Sequence, residues 1–136
     1  MPEPSRQRKI EVAALIDRVT TWASVHPATR GLLLVGSYAR DAAHAESDVD
    51  FVLLTADESL EPATEFGTPT RRHTWGDVHD HRFRTATGLE FEINVTDPGW
   101  TDRAHTDPGT RRVVTDGARS LYDPTGTITR LLAGIA

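Results

Sequence analysis

The sequence predicts an α/β protein built on a single mixed β-sheet with flanking helices. Three observations predict it. Apolar residues at helical spacing open the chain, short apolar or alternating runs follow, and two Asp-Pro pairs start further helices towards the end. With 136 residues the chain suits one domain, 1–136, with room for one hydrophobic core.

After a Pro-containing leader, Ile10, Ala13, Ala14, Ile16 and Val19 recur at helical spacing and predict an amphipathic helix from about Ser5 to Val25, ending before Pro27. Residues Gly31 to Val35 are wholly apolar and too few for a helix, so they read as a buried strand. Gly36 and Ser37 turn the chain out of it, and Ala39, Ala42 and Ala43 predict a brief helix from Tyr38 to about Ala43. Asp48 to Leu54 form a strand with an acidic mouth and an apolar interior. Alternation puts Asp48 and Asp50 on one face of it, roughly 7 Å apart along the strand. Thr55 to Gly76 show no periodicity and receive no element.

Asp77 to Thr85 and Leu89 to Thr96 are two strands around a tight turn at Thr87-Gly88. The second alternates Leu89, Phe91, Ile93 and Val95 against Glu90, Glu92 and Asn94. Asp107-Pro108 is an N-cap followed by proline at the first helical position, opening a helix that stops near Gly117. Leu121-Tyr122 is a short strand. Asp123-Pro124 repeats the cap and starts a last helix with Ile128, Leu131 and Leu132 on its buried side.

Composition limits the possible partners. A net charge of −5 does not favour a broad grip on a nucleic acid, which needs clustered Lys and Arg. A small nucleotide is different, because a metal ion and a few arginines can meet its charge even on an acidic protein. Absence of cysteine excludes disulfides, thiolate zinc sites and a Cys nucleophile. No apolar run approaches the roughly 20 residues that span a bilayer, and residues Met1 to Ser5 lack a signal-peptide core, so a cytoplasmic protein without membrane attachment is expected.

The stretch Gly36-Ser37-Tyr38-Ala39-Arg40, followed by Ser47-Asp48-Val49-Asp50-Phe51, carries the most chemistry. Gly36 lets the backbone approach a phosphate, Ser37 offers a hydroxyl and an amide, and Arg40 adds a fork of donors. Asp48 and Asp50 are oxygen ligands suited to magnesium, which is usually held by a few carboxylates and substrate phosphates. With a third carboxylate from a neighbouring strand they can hold one or two ions, of which one activates the attacking oxygen and the other stabilises the leaving pyrophosphate. Each half alone reads as an ordinary strand end. Their joint spacing, with ten residues between Ser37 and Asp48, points to nucleotidyl transfer.

This pattern resembles the signature of the DNA polymerase beta-like nucleotidyltransferase superfamily, and in particular its small stand-alone bacterial members. The resemblance implies a small mixed sheet with flanking helices, magnesium, a nucleoside triphosphate donor such as ATP, and a third carboxylate on a later strand. Glu92 is that residue by similarity to the corresponding strand of aminoglycoside nucleotidyltransferases, with Glu90 on the same face as the alternative. Catalysis and metal binding would then rest on Asp48, Asp50 and Glu92, and nucleotide binding on Gly36, Ser37, Arg40 and Ser47. The implied acceptor is a hydroxyl of a partner protein, as for minimal nucleotidyltransferases that adenylylate a toxin, or of a small molecule. The short chain leaves that site to be completed by a partner or a second copy. A non-catalytic nucleotide-binding protein that neutralises a partner is the alternative reading. Asp41 departs from the pattern, standing where many small members carry Gly.

Other chemistry-bearing residues have simpler readings. His73, His79 and His81 lie near Asp77 and Asp80 but lack a second ligand group at zinc spacing, so a solvent-facing polar strand is expected. Arg111 and Arg112 read as a solvated helix face, and Trp22, Trp75 and Trp100 as core or rim packing rather than base-stacking platforms.

Overall fold

The computed structural model describes residues 2–62 and 64–135. Helix α1 (Arg6–Val25) is capped by Ser5, whose side chain accepts from the Arg8 amide at 3.0 Å. Strands β1 (Thr29–Val35) and β2 (Val49–Thr55) pair antiparallel. A 3-10 turn (Thr64–Phe66) and β3 (Thr68–Trp75) occupy the stretch that lacks periodicity. Then come β4 (Val78–Arg84), β5 (Glu90–Thr96), α2 (Trp100–Thr106), α3 (Pro108–Thr115), β6 (Ala118–Tyr122) and α4 (Thr127–Ile135). The sheet order is β3-β4-β5-β2-β1-β6, and the β2–β5 pair is parallel while the others are antiparallel. This is the mixed α/β sheet that the sequence predicts.

Strand alternation divides the core into two layers. Leu32, Leu34, Phe51, Leu53, Phe91 and Ile93 pack with Val12, Leu15, Val19 and Ala23 of α1. Leu33, Val35, Val52 and Leu54 point the other way, against Trp100 and Ala104 of α2, Val114 of α3 and Ile128 and Leu131 of α4. Asp50 and Glu92 share this second face, where the helices leave part of the sheet uncovered.

Several expectations need correction. The buried side of α1 is Val12, Leu15, Val19 and Ala23, whereas Ile10, Ala13 and Ala14 are exposed. Two apolar stripes compete on this helix, and the one carrying more branched side chains removes more apolar area from water. The brief helix over Tyr38 to Ala43 does not form. The segment folds instead as turns closed by Ala39 N to Gly36 O (3.0 Å) and Ala42 N to Ser37 O (2.9 Å), and Asp41 at φ 56° breaks any helical run. Helix α4 begins at Thr127 rather than beside Pro124. Asp123 caps it from across a turn, accepting from the amides of Ile128 (3.0 Å) and Thr129 (2.9 Å). Helix α2 was without a sequence signal, since Gly99 offers no side-chain cap and the helix is only seven residues long.

The β4–β5 hairpin is not an edge of the sheet. Strand β3, exposed along its whole length, is the edge, which places β5 between β4 and β2. Nor is β4 a solvent-facing polar strand, because Asp80 and His81 retain only 3% and 7% of their surface. Burial lowers the pKa of His81.

Candidate active site

One row of residues crosses the sheet and builds the site. Val35 lies beside Asp50, Asp50 beside Glu92, Glu92 beside Arg82, and Arg82 beside Arg71. Each is the register partner of the next, so rigid backbone sets the spacing of the charged groups. Asp48 stands two residues before Asp50, just ahead of β2. The sequence-predicted residues Asp48, Asp50 and Glu92 therefore do converge at one end of the sheet. Glu90, the alternative third carboxylate, lies one register step away and pairs with Arg84 at 3.4 Å.

Charge balance in this row is uneven. Arg82 donates to Asp48 Oδ2 at 2.9 Å and to Glu92, and its Nε lies 3.6 Å from Glu90. Burial works against its charge, but the hydrogen bond to Asp48 and the charge of Glu92 outweigh that, and its pKa rises. Asp50 has no such partner among the described residues. Its burial first, and then the neighbouring charges of Asp48 and Glu92, push its pKa up to about 7. Glu92 is raised as well, by burial and then by Asp80, despite Arg82.

Gly36 fits against Asp50. At φ 77° it takes a conformation that side chains disfavour, and a Cβ there would stand 2.5 Å from Asp50 Oδ2. Beyond it the chain turns through Ser37 to Arg40 and returns along a loop in which Ser47 Oγ accepts from the His44 amide at 2.9 Å. Ser37, Arg40, Ser47, Asp48, Asp50 and Arg82 line a polar cavity of about 400 Å³. Arg119 of β6 braces the turn, donating to Ala39 O at 2.8 Å and pairing with Asp41 at 3.0 Å. The departure at Asp41 now has a physical account: the position has positive φ, free to glycine and tolerated by aspartate.

A second cavity, of about 540 Å³, opens on the other side of Asp50. Val35, Val52, Asn94 and Trp100 line it from the sheet and α2, Thr110 and Val113 from α3, and Trp75 and Val78 from the tip of the β3–β4 hairpin. Gly36, Arg40 and Asp50 belong to both cavities. The site thus has a polar compartment and a larger, more apolar one that meet at Asp50.

The model of a family described as "Nucleotidyltransferase domain" matches residues 23–105, more than half of the chain. The chain belongs to this family. The matched span runs from the end of α1 into α2 and contains Gly36, Ser37, Asp48, Asp50 and Glu92. No curated protein matches the chain at a significant level. Membership makes nucleotidyl transfer the general chemistry of this nucleotidyltransferase domain. Among the described residues no helix is long and apolar enough to cross a membrane.

Three further residues of the domain matter to the site: Arg82, absent from the sequence-based expectations, Asp80, noted there only beside the histidines, and Asn94, noted there only on the polar side of its strand. A signal for them exists. Thr85 N donates to Leu89 O at 2.8 Å across the hairpin turn, and counting back from that turn pairs Arg84 with Glu90, Arg82 with Glu92 and Asp80 with Asn94. The simpler readings hold for Arg111 and Arg112, which are exposed on α3, and for Trp100, which is 4% exposed in the core. Trp22 packs edge-on against Phe66. Trp75 is 63% exposed and lines the larger cavity.

The donor chemistry of the row fits a divalent cation. Three carboxylates supply hard oxygen ligands, and burial of the unpaired Asp50 leaves negative charge that a cation would offset. Among the described residues no three carboxylate or imidazole groups already converge at ligand distance. Arg82 lies between Asp48 and Glu92 and is ion-paired to both.

Proposed function

We propose that the protein transfers a nucleoside monophosphate, most simply AMP from ATP, to a hydroxyl of an acceptor, with Asp48, Asp50 and Glu92 holding magnesium. The observation that carries this reading is the position of Asp50. A half-buried carboxylate without a cation stands where a polar cavity and an apolar cleft meet, in register with a second carboxylate and against a glycine that has yielded its space. Such an arrangement costs stability, and a cation-dependent reaction accounts for it.

The polar cavity supports a triphosphate site. Ser37 and Ser47 offer hydroxyls, Gly36 permits backbone approach, and Arg40 supplies a planar fork of donors. Glu92, its pKa raised, is placed to take the proton of the acceptor hydroxyl as that oxygen bonds to the α-phosphorus. The bond from that phosphorus to the bridging oxygen then breaks, and pyrophosphate leaves with Arg40 against its charge. Bound magnesium would supply Lewis-acid stabilisation of the charge on the transferring group and pyrophosphate. The cleft of about 540 Å³ is of a size that takes small molecules, and its place across Asp50 from the polar cavity suits an acceptor that approaches in line. A small molecule or a side chain of a partner protein meets that description.

The test uses ATP labelled in turn at the α- and γ-phosphates, with magnesium and the purified protein. Label from the α-position is expected to reach acceptor while γ-label leaves as pyrophosphate. Transfer of γ-label, or no nucleotide binding at millimolar magnesium, would overturn the proposal.

A further inference from the structure

We infer that Arg82 is a built-in counter-ion with two stations: it holds Asp48 and Glu92 when no metal is bound, and passes to Asp80 when a divalent cation takes those carboxylates. The inference rests on the reading that Asp48, Asp50 and Glu92 hold the metal. Arg82 occupies the oxygens a cation would need, donating to Asp48 Oδ2 at 2.9 Å and to Glu92 Oε1. Guanidinium and metal ion compete for the same lone pairs, and both together would crowd positive charge into one small space. The arginine must therefore move or weaken metal binding.

The structure offers it a destination. Asp80 precedes Arg82 by two residues on β4, so both side chains stand on the same face of the sheet. Asp80 is 3% exposed; Arg71 holds its Oδ2 at 3.1 Å, while its Oδ1 is buried without a hydrogen-bond partner. A buried carboxylate oxygen left unpaired is costly, and the long arginine side chain can reach an i−2 neighbour by rotating about its own χ angles. Arg71 lies 3.3 Å from Glu92 Oε1 as well, but it already has a partner outside the metal site in Asp80 Oδ2, so that oxygen too can be given up to the ion. The row thus exchanges one cation for another with little backbone movement.

Calorimetric titration with manganese, without nucleotide, tests this. Arg82→Ala is expected to bind the ion roughly tenfold more tightly than the natural chain, because the competing charge is gone. Asp80→Asn is expected to bind it severalfold more weakly, since the displaced arginine loses its second station. In the Arg82→Ala background that loss should vanish, as the coupling of a double-mutant cycle requires. Arg82→Gln carries the same expectation should the alanine variant fail to fold. Equal or weaker binding by Arg82→Ala would show that the arginine organises the carboxylates rather than competing with the ion. An undiminished effect of Asp80→Asn in that background would overturn the second station. Absence of manganese binding in every variant would instead sink the metal reading of the site itself.

Discussion

Gly36 and Asp50 are fitted to one another: the hydrogen on Gly36 stands where a Cβ would come to 2.5 Å from Asp50 Oδ2. Two demands meet at this glycine. Its φ of 77° is one side chains resist, and the carboxylate beyond it leaves no room for a methyl group. Gly36→Ala is expected to lower stability by about 1–3 kcal/mol through backbone strain, and also to turn Asp50 from its place. Thermal unfolding and labelled-ATP transfer measure the two effects. A variant with natural transfer rates would show that the contact is not needed.

Asp50 gives a pH dependence whose sign can be worked out. Its native pKa lies above the ordinary aspartate value, so the folded chain holds this proton more tightly than the unfolded chain does. Stability from this group is therefore present at low pH and is lost as pH rises from about 4 to about 7. Asp50→Asn removes the ionisation. It should leave stability near that of the natural chain below about pH 4, raise it modestly at pH 5 and raise it most at pH 8, by on the order of 2 kcal/mol once solvent screening is allowed for. Melting curves of the metal-free proteins at these pH values decide it. Equal shifts at pH 5 and pH 8 would mean that Asp50 is not the titrating group.

Much of this site was legible in the sequence because its chemistry is local. Gly36 and Ser37 follow the end of β1, Asp48 and Asp50 stand at the start of β2 one loop later, and alternation alone puts Asp50 on the same face as Val52. Glu92 was readable as a candidate from the clean alternation of β5. What it does depends on β5 pairing in parallel with β2, a contact between segments some forty residues apart that no local pattern specifies. Strand β3 was invisible for a different reason. As an edge strand exposed along its length, it buries neither face and has no hydrophobic period. The Tyr38 to Ala43 helix failed where tertiary contacts outweighed alanine propensity: Arg119, some eighty residues on, holds Ala39 O and Asp41 in a turn.

The register separates the two glutamates. Glu92 is the direct neighbour of Asp50 and is half-buried, while Glu90 lies farther along β5 beside Arg84 and is more exposed. Glu92→Gln is expected to reduce nucleotide transfer by roughly 100-fold or more, the range a general base supplies. Glu90→Gln should retain transfer within about threefold, as surface ion pairs contribute little. Initial rates of α-label transfer compare them directly. The opposite ranking would move the third carboxylate to Glu90.

The turn that carries Arg40 should be sensitive to conformation at Asp41 more than to its charge. Asp41 stands at φ 56°, and its carboxylate meets Arg119 at 3.0 Å on the surface. Asp41→Gly loses the exposed ion pair but gains freedom in the left-handed region, so stability should stay within about 0.5 kcal/mol of the natural chain. Asp41→Ala loses the pair and keeps the strain, and should cost about 1 kcal/mol or more. Arg119→Ala also frees the Ala39 carbonyl, which is held at 2.8 Å, and loosens the turn itself. Its expected signature is weaker ATP binding by severalfold with Asp48, Asp50 and Glu92 undisturbed. Denaturant unfolding and equilibrium nucleotide binding separate these outcomes. If alanine and glycine at position 41 prove equally stable, charge rather than backbone conformation shapes the turn.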